Sequence, residues 1–396
     1  MRFLDAGLMT NVDQVCLCGP RSEKAVTGVA LAFDLLVEGV RSRAIPHQIV
    51  DATRGATVSK SGTFSISRAI DTLCVVGLVW RKLMRCKIYY ATMSTSSVGF
   101  IRDYLTVGFA KLLGRRTVLH LHGGGFEEFY TSQKPWFQWL IRSNLRRTDS
   151  IVALGELLKE QFFCVGEFVK PKLVVIPNGL TLGVEEPSAE SKVFGDGQRV
   201  ELLYLSSLMP SKGFFDVLQA MEILKSQSSV RYHLNLCGSF VDAKTETAIA
   251  VNDEASLGAY IETYGLLDYV TYHGQIRGEE KDKQFARANI FLLPTSYPWE
   301  GQPLSIIEAL AFSIPVISCC HKGIPELVKD GKTGLFVKPE APDSIASAVI
   351  EMTADLNRYS KMSHAAREHY EANFRRDVHL KRLISVILDC PESEVS

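Results

Sequence analysis

The stretch Leu292-Leu293-Pro294-Thr295-Ser296-Tyr297-Pro298-Trp299-Glu300-Gly301-Gln302-Pro303-Leu304-Ser305-Ile306-Ile307-Glu308-Ala309-Leu310 decides how the chain is read. An apolar strand runs into a polar loop, and a helix begins near Pro303, since Pro is favoured in the first helical turn. Loop amides and a helix N-terminus together bind anions well. Glu300 lies on the loop and Glu308 on the helix. Apolar residues flank Glu308 on both sides, so its carboxylate is expected in a buried environment, where an unused charge is costly. Carboxylates accept paired hydrogen bonds from vicinal hydroxyls, as on a sugar or a ribose. The plainer alternatives are a capping or surface role for Glu300 and a solvated helix face for Glu308.

Strand-like runs alternate with helical patterns on either side of this stretch. In the first half the strand candidates are 14–18, 88–90, 117–120, 150–153 and 173–176, with helices over 28–39 and 135–145. In the second they are 200–205, 232–236, 270–272, 290–293 and 316–318, with helices over 213–224, 281–288 and 304–312. This rhythm predicts parallel sheets covered by helices on both faces. Between them, 181–199 is rich in Gly, Glu, Ser and Pro and reads as a linker and hinge. The expected organisation is a domain over 1–180, a second over 200–374, and a final segment, 375–396, that is a candidate to cross back to the first. A length of 396 residues suits two domains.

The balance of Lys and Arg with Asp and Glu is zero overall, yet residues 1–180 carry +9 and residues 181–396 carry −9. The basic half suits an anionic surface. The longest apolar run, 73–80, is too short to span a bilayer. No leader pattern is evident, and the nine scattered cysteines lack paired CxxC units, so reduced thiols in a cytoplasmic protein are expected.

The segment with Glu300 and Glu308 resembles the E-x7-E motif of glycosyltransferase family 4, in the GT-B superfamily. Further family-like stretches follow in order: His120-Leu121-His122-Gly123-Gly124, Asp149–Ala153, Val174–Gly179, Pro210-Ser211-Lys212-Gly213, His273–Ile276 and Ile314–Ile317. The resemblance implies two Rossmann-like domains facing a cleft. It also implies a retaining transfer of a glycosyl group from a nucleotide-sugar to a glycan acceptor. On this basis Glu300 meets the donor sugar, Glu308 the ribose, Lys212 the diphosphate, and His122 the sugar from the other domain. Gln275 and Ile276 fall where the base rests, Gly19 in a loop facing the phosphates, and Gly301, Gln302, Pro303 and Leu304 at the helix start. His120 is read as pointing away from His122 and as structural. Pro177-Asn178-Gly179 is read as a turn. Ser206-Ser207 departs from the family's usual Gly-Arg pair, leaving Lys212, with Arg21 or a backbone nest, to hold the diphosphate.

Leaving-group charge would be met by Lys212, the loop amides and the helix start. The chain has no Asp-x-Asp, and no metal or other cofactor is expected. Trp80–Lys87 and Lys134–Arg142, with Arg146 and Arg147, suit peripheral contact with an anionic membrane, and hence a lipid-linked acceptor for cell-surface polysaccharide. The alternative for the second segment is a core helix whose tryptophans face the sheet. Other readings of the whole are a non-catalytic nucleotide-sugar-binding module and a nucleotide-sugar epimerase. Nucleic-acid binding has no recognised module behind it.

Overall fold

The computed structural model describes residues 14–23, 26–53, 66–180, 198–241 and 250–395. The chain divides into two compact units, Met1–Leu182 with Arg376–Ser396, and Gly183–Arg375. Most of the stretch read as a linker, 181–197, lies outside the described residues.

The first unit holds β1 (Val15–Gly19), β2 (His47–Asp51), β3 (Ile88–Thr92), β4 (Arg116–Leu121), β5 (Ser150–Ala153) and β6 (Leu173–Val175), in the order β2-β1-β3-β4-β5-β6. Every pairing is parallel. β1, β3 and β5 are buried along their whole length. That is the signature of strands covered on both faces, and it explains their unbroken apolar runs. Helix Gly28–Ser42 starts where the Thr27 hydroxyl accepts from the Ala30 amide at 3.2 Å. Asp149, in one of the family-like stretches, is structural. It accepts from the Thr117 amide at 2.8 Å and from Lys111 at 2.9 Å, tying β4 to the start of β5.

The second unit holds β7 (Val200–Leu205), β8 (Tyr232–Cys237), β9 (Val270–Gly274), β10 (Ile290–Leu293), β11 (Val316–Cys319) and β12 (Gly334–Val337), in the order β12-β11-β10-β7-β8-β9, again all parallel. Both units are therefore doubly wound and Rossmann-like, as the alternation predicts.

The sequence reading missed β2 and β12, the strands at one edge of each sheet. It also left out the helices Ser97–Leu112 and Leu356–Asn373. The apolar run 73–80 is the middle of helix Ile66–Leu83, and among the described residues no helix is long and apolar enough to cross a membrane. In helix Pro135–Arg147 it is Phe137, Ile141 and Leu145 that face inward, while Trp136 and Trp139 are exposed. The core-helix alternative for these two tryptophans is thereby excluded.

Helix Arg376–Leu388 packs within the first unit. Leu380, Leu383, Ile384 and Ile387 join the cluster formed by Leu17, Phe33, Leu36 and Tyr90. The segment Pro177-Asn178-Gly179, read from sequence as a turn, is irregular without an assigned turn, and it receives this helix. The His379 Nδ1–H donates to the Pro177 carbonyl at 2.6 Å, and a Cβ on Gly179 would lie 2.6 Å from the His379 Cβ. The glycine here is required by this close approach. All nine cysteines are free thiols.

Candidate active site

In the second unit the chain winds outward from β7 through β8 and β9, then returns to lay β10 on the other side of β7. The strand order reverses between β7 and β10, and ligands of such sheets bind beyond the carboxyl ends of the strands at that point. The loops leaving β7 and β10 meet there. The Ser296 amide donates to the Ser211 carbonyl at 2.8 Å.

The loop after β7 is braced on its other flank. The Leu208 amide donates to the Ser239 carbonyl at 2.9 Å, and the Tyr204 hydroxyl reaches the Lys212 carbonyl at 3.3 Å. Gly238 sits at φ +149°, and a Cβ there would lie 1.9 Å from the Ser206 carbonyl oxygen. Gly238→Ala is expected to cost at least ~1–3 kcal/mol, the usual scale for forced backbone strain, and to displace the Ser206–Lys212 loop. Chemical denaturation measures the cost; a stability unchanged from the parent would show that the loop yields freely.

Against this frame stand two buried ion pairs. Lys212 Nζ lies 2.5 Å from Glu300 Oε2, with side chains 14% and 8% exposed. Thr295 Oγ1 donates to the same carboxylate oxygen at 3.0 Å, and the Lys212 ammonium sits 4.5 Å from the centre of the Tyr297 ring. The Tyr297 carbonyl is in turn held by His321 Nε2 at 2.8 Å. Glu300 is thus buried and paired, which removes the surface-residue alternative for it. No side chain caps helix Leu304–Ala311, so Glu300 is not its cap either. Gly301 and Gln302 are buried, while Pro303 and Leu304 are half-buried at the helix start.

The second pair joins Glu308 Oε1 to Lys281 Nζ at 2.8 Å. Glu308 is 3% exposed, so the solvated-face alternative is excluded for it as well. Lys281 was not among the expected site residues. It lies on helix Gly278–Arg287, just beyond Gln275 and Ile276, which follow β9 as an exposed and a half-buried residue. The signal available was modest: one Lys in Glu279-Glu280-Lys281-Asp282-Lys283 faces inward, and helical spacing alone does not say which.

The first unit carries its own cluster. His122 follows β4 and is half-buried, and its ring lies 3.9 Å from that of His120. The expectation that His120 points away is therefore wrong. Residues two apart on a strand share a face. His120 is nevertheless structural, being buried and bonded through Nδ1 to the Tyr90 hydroxyl at 2.8 Å. Burial, with His379 nearby, pushes the His122 ring down to about 3, and burial pushes His379 down to about 4. Both are neutral near pH 7. Gly19 closes β1, and a Cβ there would lie 2.4 Å from the Phe33 ring, so helix–strand packing by itself demands this glycine. Arg21, the expected auxiliary for the diphosphate, is ion-paired with Asp34 on helix Gly28–Ser42. That carboxylate also accepts from the Ser22 amide at 3.0 Å.

The depressed histidines fix a pH dependence. Unfolded, each takes up a proton below its ordinary value of 6.5; folded, neither does so until about 3 or 4. Protonation therefore favours the unfolded first unit, and stability falls as pH drops from about 6.5 towards about 4. Thermal unfolding across that range checks this, and His379→Gln is expected to flatten the fall; a curve as steep as the parent's would remove His379 from the account.

Residues 188–369 match the family model described as Glycosyl transferases group 1. Over 281 residues, 68% of this chain, the sequence is 30% identical to the putative colanic acid biosynthesis glycosyltransferase WcaL of Escherichia coli (strain K12). The chain spans 63% of the length of that relative. Over 193 residues it is 29% identical to a GDP-mannose-dependent alpha-(1-6)-phosphatidylinositol monomannoside mannosyltransferase of Mycobacterium tuberculosis, covering 46% of this chain and 45% of that one. Among solved structures, HepE of Anabaena in complex with UDP and glucose superposes with a TM-score of 0.70 at 16% identity, over 95% of this chain and 100% of that one. This last likeness concerns the fold, and the two doubly wound units are those of the GT-B architecture. Residues 188–369 thus carry a domain of the glycosyl transferases group 1 family.

Proposed function

We propose that this protein is a retaining glycosyltransferase of cell-surface polysaccharide synthesis, moving a sugar from a nucleotide-sugar to a lipid-linked glycan without a metal ion. The observation that carries the reading is the pair of buried carboxylates, Glu300 and Glu308, each held by a lysine at the β7/β10 switch point. Buried acidic groups without a ligand to serve are poor investments in stability, since a well-packed apolar pair does as well. The colanic acid and phosphatidylinositol mannoside relatives support a surface-glycan acceptor, and the bound UDP and glucose of HepE support a nucleotide-sugar donor.

In this reading the bond between the donor's anomeric carbon and the diphosphate oxygen breaks. An acceptor hydroxyl oxygen forms the new bond on the same face, and its proton passes to the departing phosphate. Lys212 and the uncapped start of helix Leu304–Ala311 receive the charge gathered by the leaving group. Glu300 orients the sugar hydroxyls and Glu308 the ribose. Gln275 and Ile276 flank the base; Gly301, Gln302 and Leu304 offer backbone amides to the phosphates, and Pro303, which has no N–H, shapes the helix start. His122, neutral, acts as a hydrogen-bonding group rather than a cation. Gly19 is a packing glycine that leaves the loop after β1 free to approach the phosphates. Among the described residues no group of three or more His, Cys, Asp and Glu side chains is arranged to hold a metal ion.

The test is a thermal-shift series with UDP-, GDP-, ADP- and TDP-sugars in EDTA, followed by a transfer assay on a membrane-lipid extract. A saturable shift with one nucleotide class and a lipid-linked product of retained anomeric configuration is expected. Donor consumption without an acceptor-linked product would point to hydrolysis or epimerisation, and binding without turnover to a non-catalytic module.

A further inference from the structure

A helix covering a sheet normally buries one face and gives water a polar one. Helix Ile66–Leu83 does not follow that pattern. Val75, Val76, Val79 and Leu83 face the core, yet Leu73, Cys74, Gly77 and Trp80 are exposed at helical spacing, and Met84 continues the row. Helix Ser97–Leu112 repeats it, burying Phe100, Val107 and Ala110 while exposing Ile101 and Leu112, the latter at 81%. The Trp80 ring stacks on Phe109 with centroids 4.8 Å apart, and its Nε1–H donates to the Leu105 carbonyl at 3.4 Å. The two rows are thereby joined into one patch. Arg147 reaches over the Tyr104 ring at 5.5 Å, which links the neighbouring helix Pro135–Arg147 and its exposed Trp136 and Trp139.

The charge on these three helices is predominantly positive. Their acidic residues are Asp71 and Asp103, and Asp103 is buried in a pair with Arg102 at 2.7 Å. Around the apolar patch, Arg81, Arg85, Lys87, Arg142 and Arg146 are exposed. We propose that this three-helix face docks on an anionic lipid bilayer, with Leu73, Met84, Leu112, Trp136 and Trp139 entering the interface and the Arg and Lys side chains meeting the headgroups. Indole and aliphatic groups set among Arg and Lys match the polarity gradient of a bilayer surface. A second copy of this chain is a poor occupant, because two such faces would set like charges against each other. The inference deepens the lipid-linked-acceptor reading and rests on it for its purpose, but its evidence is the face alone.

Flotation of the full-length protein with vesicles of phosphatidylcholine alone, or mixed with phosphatidylglycerol, tests the inference. The protein is expected to float with the anionic vesicles, less so in raised salt, and its tryptophan emission is expected to shift to the blue. Trp136→Ser with Trp139→Ser, and separately Leu73→Ser with Met84→Ser, are each expected to lower vesicle affinity by about tenfold or more, given about 0.8 kcal/mol per buried methylene. Circular dichroism and the nucleotide-sugar thermal shift, both expected unchanged in these variants, show that they fold. Equal recovery on neutral and anionic vesicles, no recovery on either, or binding that both double variants retain would overturn the proposal. So would a dimer, or a complex with an acidic protein, that the same substitutions dissolve. Vesicle binding with no donor binding would sink the proposed activity and leave the docking face standing, and the reverse result would do the opposite.

Discussion

Lys212→Ala is expected to lower kcat/KM for glycosyl transfer by about 10²–10³-fold, the scale seen when one preorganised donor to a developing oxyanion is removed. The lysine occupies a place with few substitutes. Ser206 and Ser207 add no second cation to the loop after β7, and Arg21 is already paired with Asp34. In the ligand-free state the ammonium is held by Glu300, with Thr295 as that carboxylate's other partner. In the proposed reaction a diphosphate would compete for the same ammonium, so donor binding would loosen Lys212 from Glu300 and free carboxylate lone pairs for sugar hydroxyls. Removal of the lysine therefore acts on both groups. It also leaves a buried carboxylate unpaired, a change that typically costs ~3–5 kcal/mol. The double variant Lys212→Met with Glu300→Gln separates the two effects: it is expected to regain much of the lost stability and none of the activity. Denaturation and initial rates on the same preparations make the comparison. Turnover in Lys212→Ala close to the parent's, with the protein folded, would remove Lys212 from the chemistry.

Glu308→Ala is expected to abolish the nucleotide-sugar thermal shift and, by stranding the Lys281 ammonium, to destabilise the second unit by an amount on the order of 3 kcal/mol. Glu308 is the deeper of the two carboxylates, at 3% exposure on a helix whose neighbours Ile306, Ile307, Ala309 and Leu310 are all buried. The charge is tolerable there because Lys281 answers it at 2.8 Å. Lys281→Met alone is expected to leave Glu308 desolvated and poorly oriented, raising KM for the donor more than it lowers kcat. Lys281→Met with Glu308→Leu is expected to recover stability but not donor binding, since an apolar pair packs well and offers nothing to a ribose. If the apolar pair still bound the donor, the Glu308–Lys281 bridge would be structural and the ribose would be held elsewhere.

Much of the architecture is legible in the one-dimensional pattern. Strands buried on both faces announce themselves as β-branched apolar runs, and β5, β7 and β10 fall where those runs fall. β2 does not, because His47-Gln48-Ile49-Val50-Asp51 is half-buried at a sheet edge and carries no such run. The hydrophobic stretch 73–80 is part of helix Ile66–Leu83 and is apolar on its inner and its outer face alike.

The sequence by itself determined the alternation of elements, the two carboxylates eight residues apart, the lysine after the β7 loop and the sign of charge on the first half. Each of these is a local property, set by residue type and spacing along one element. Tertiary structure alone decided which partners those groups have. Lys281 lies 27 positions from Glu308, and Lys212 lies 88 from Glu300. Such pairs exist because the strand order reverses at β7 and β10, and sheet order is a long-range outcome of packing that no single segment encodes. The same holds for the outward apolar rows. Two amphipathic patterns become one face when the helices that carry them pack side by side.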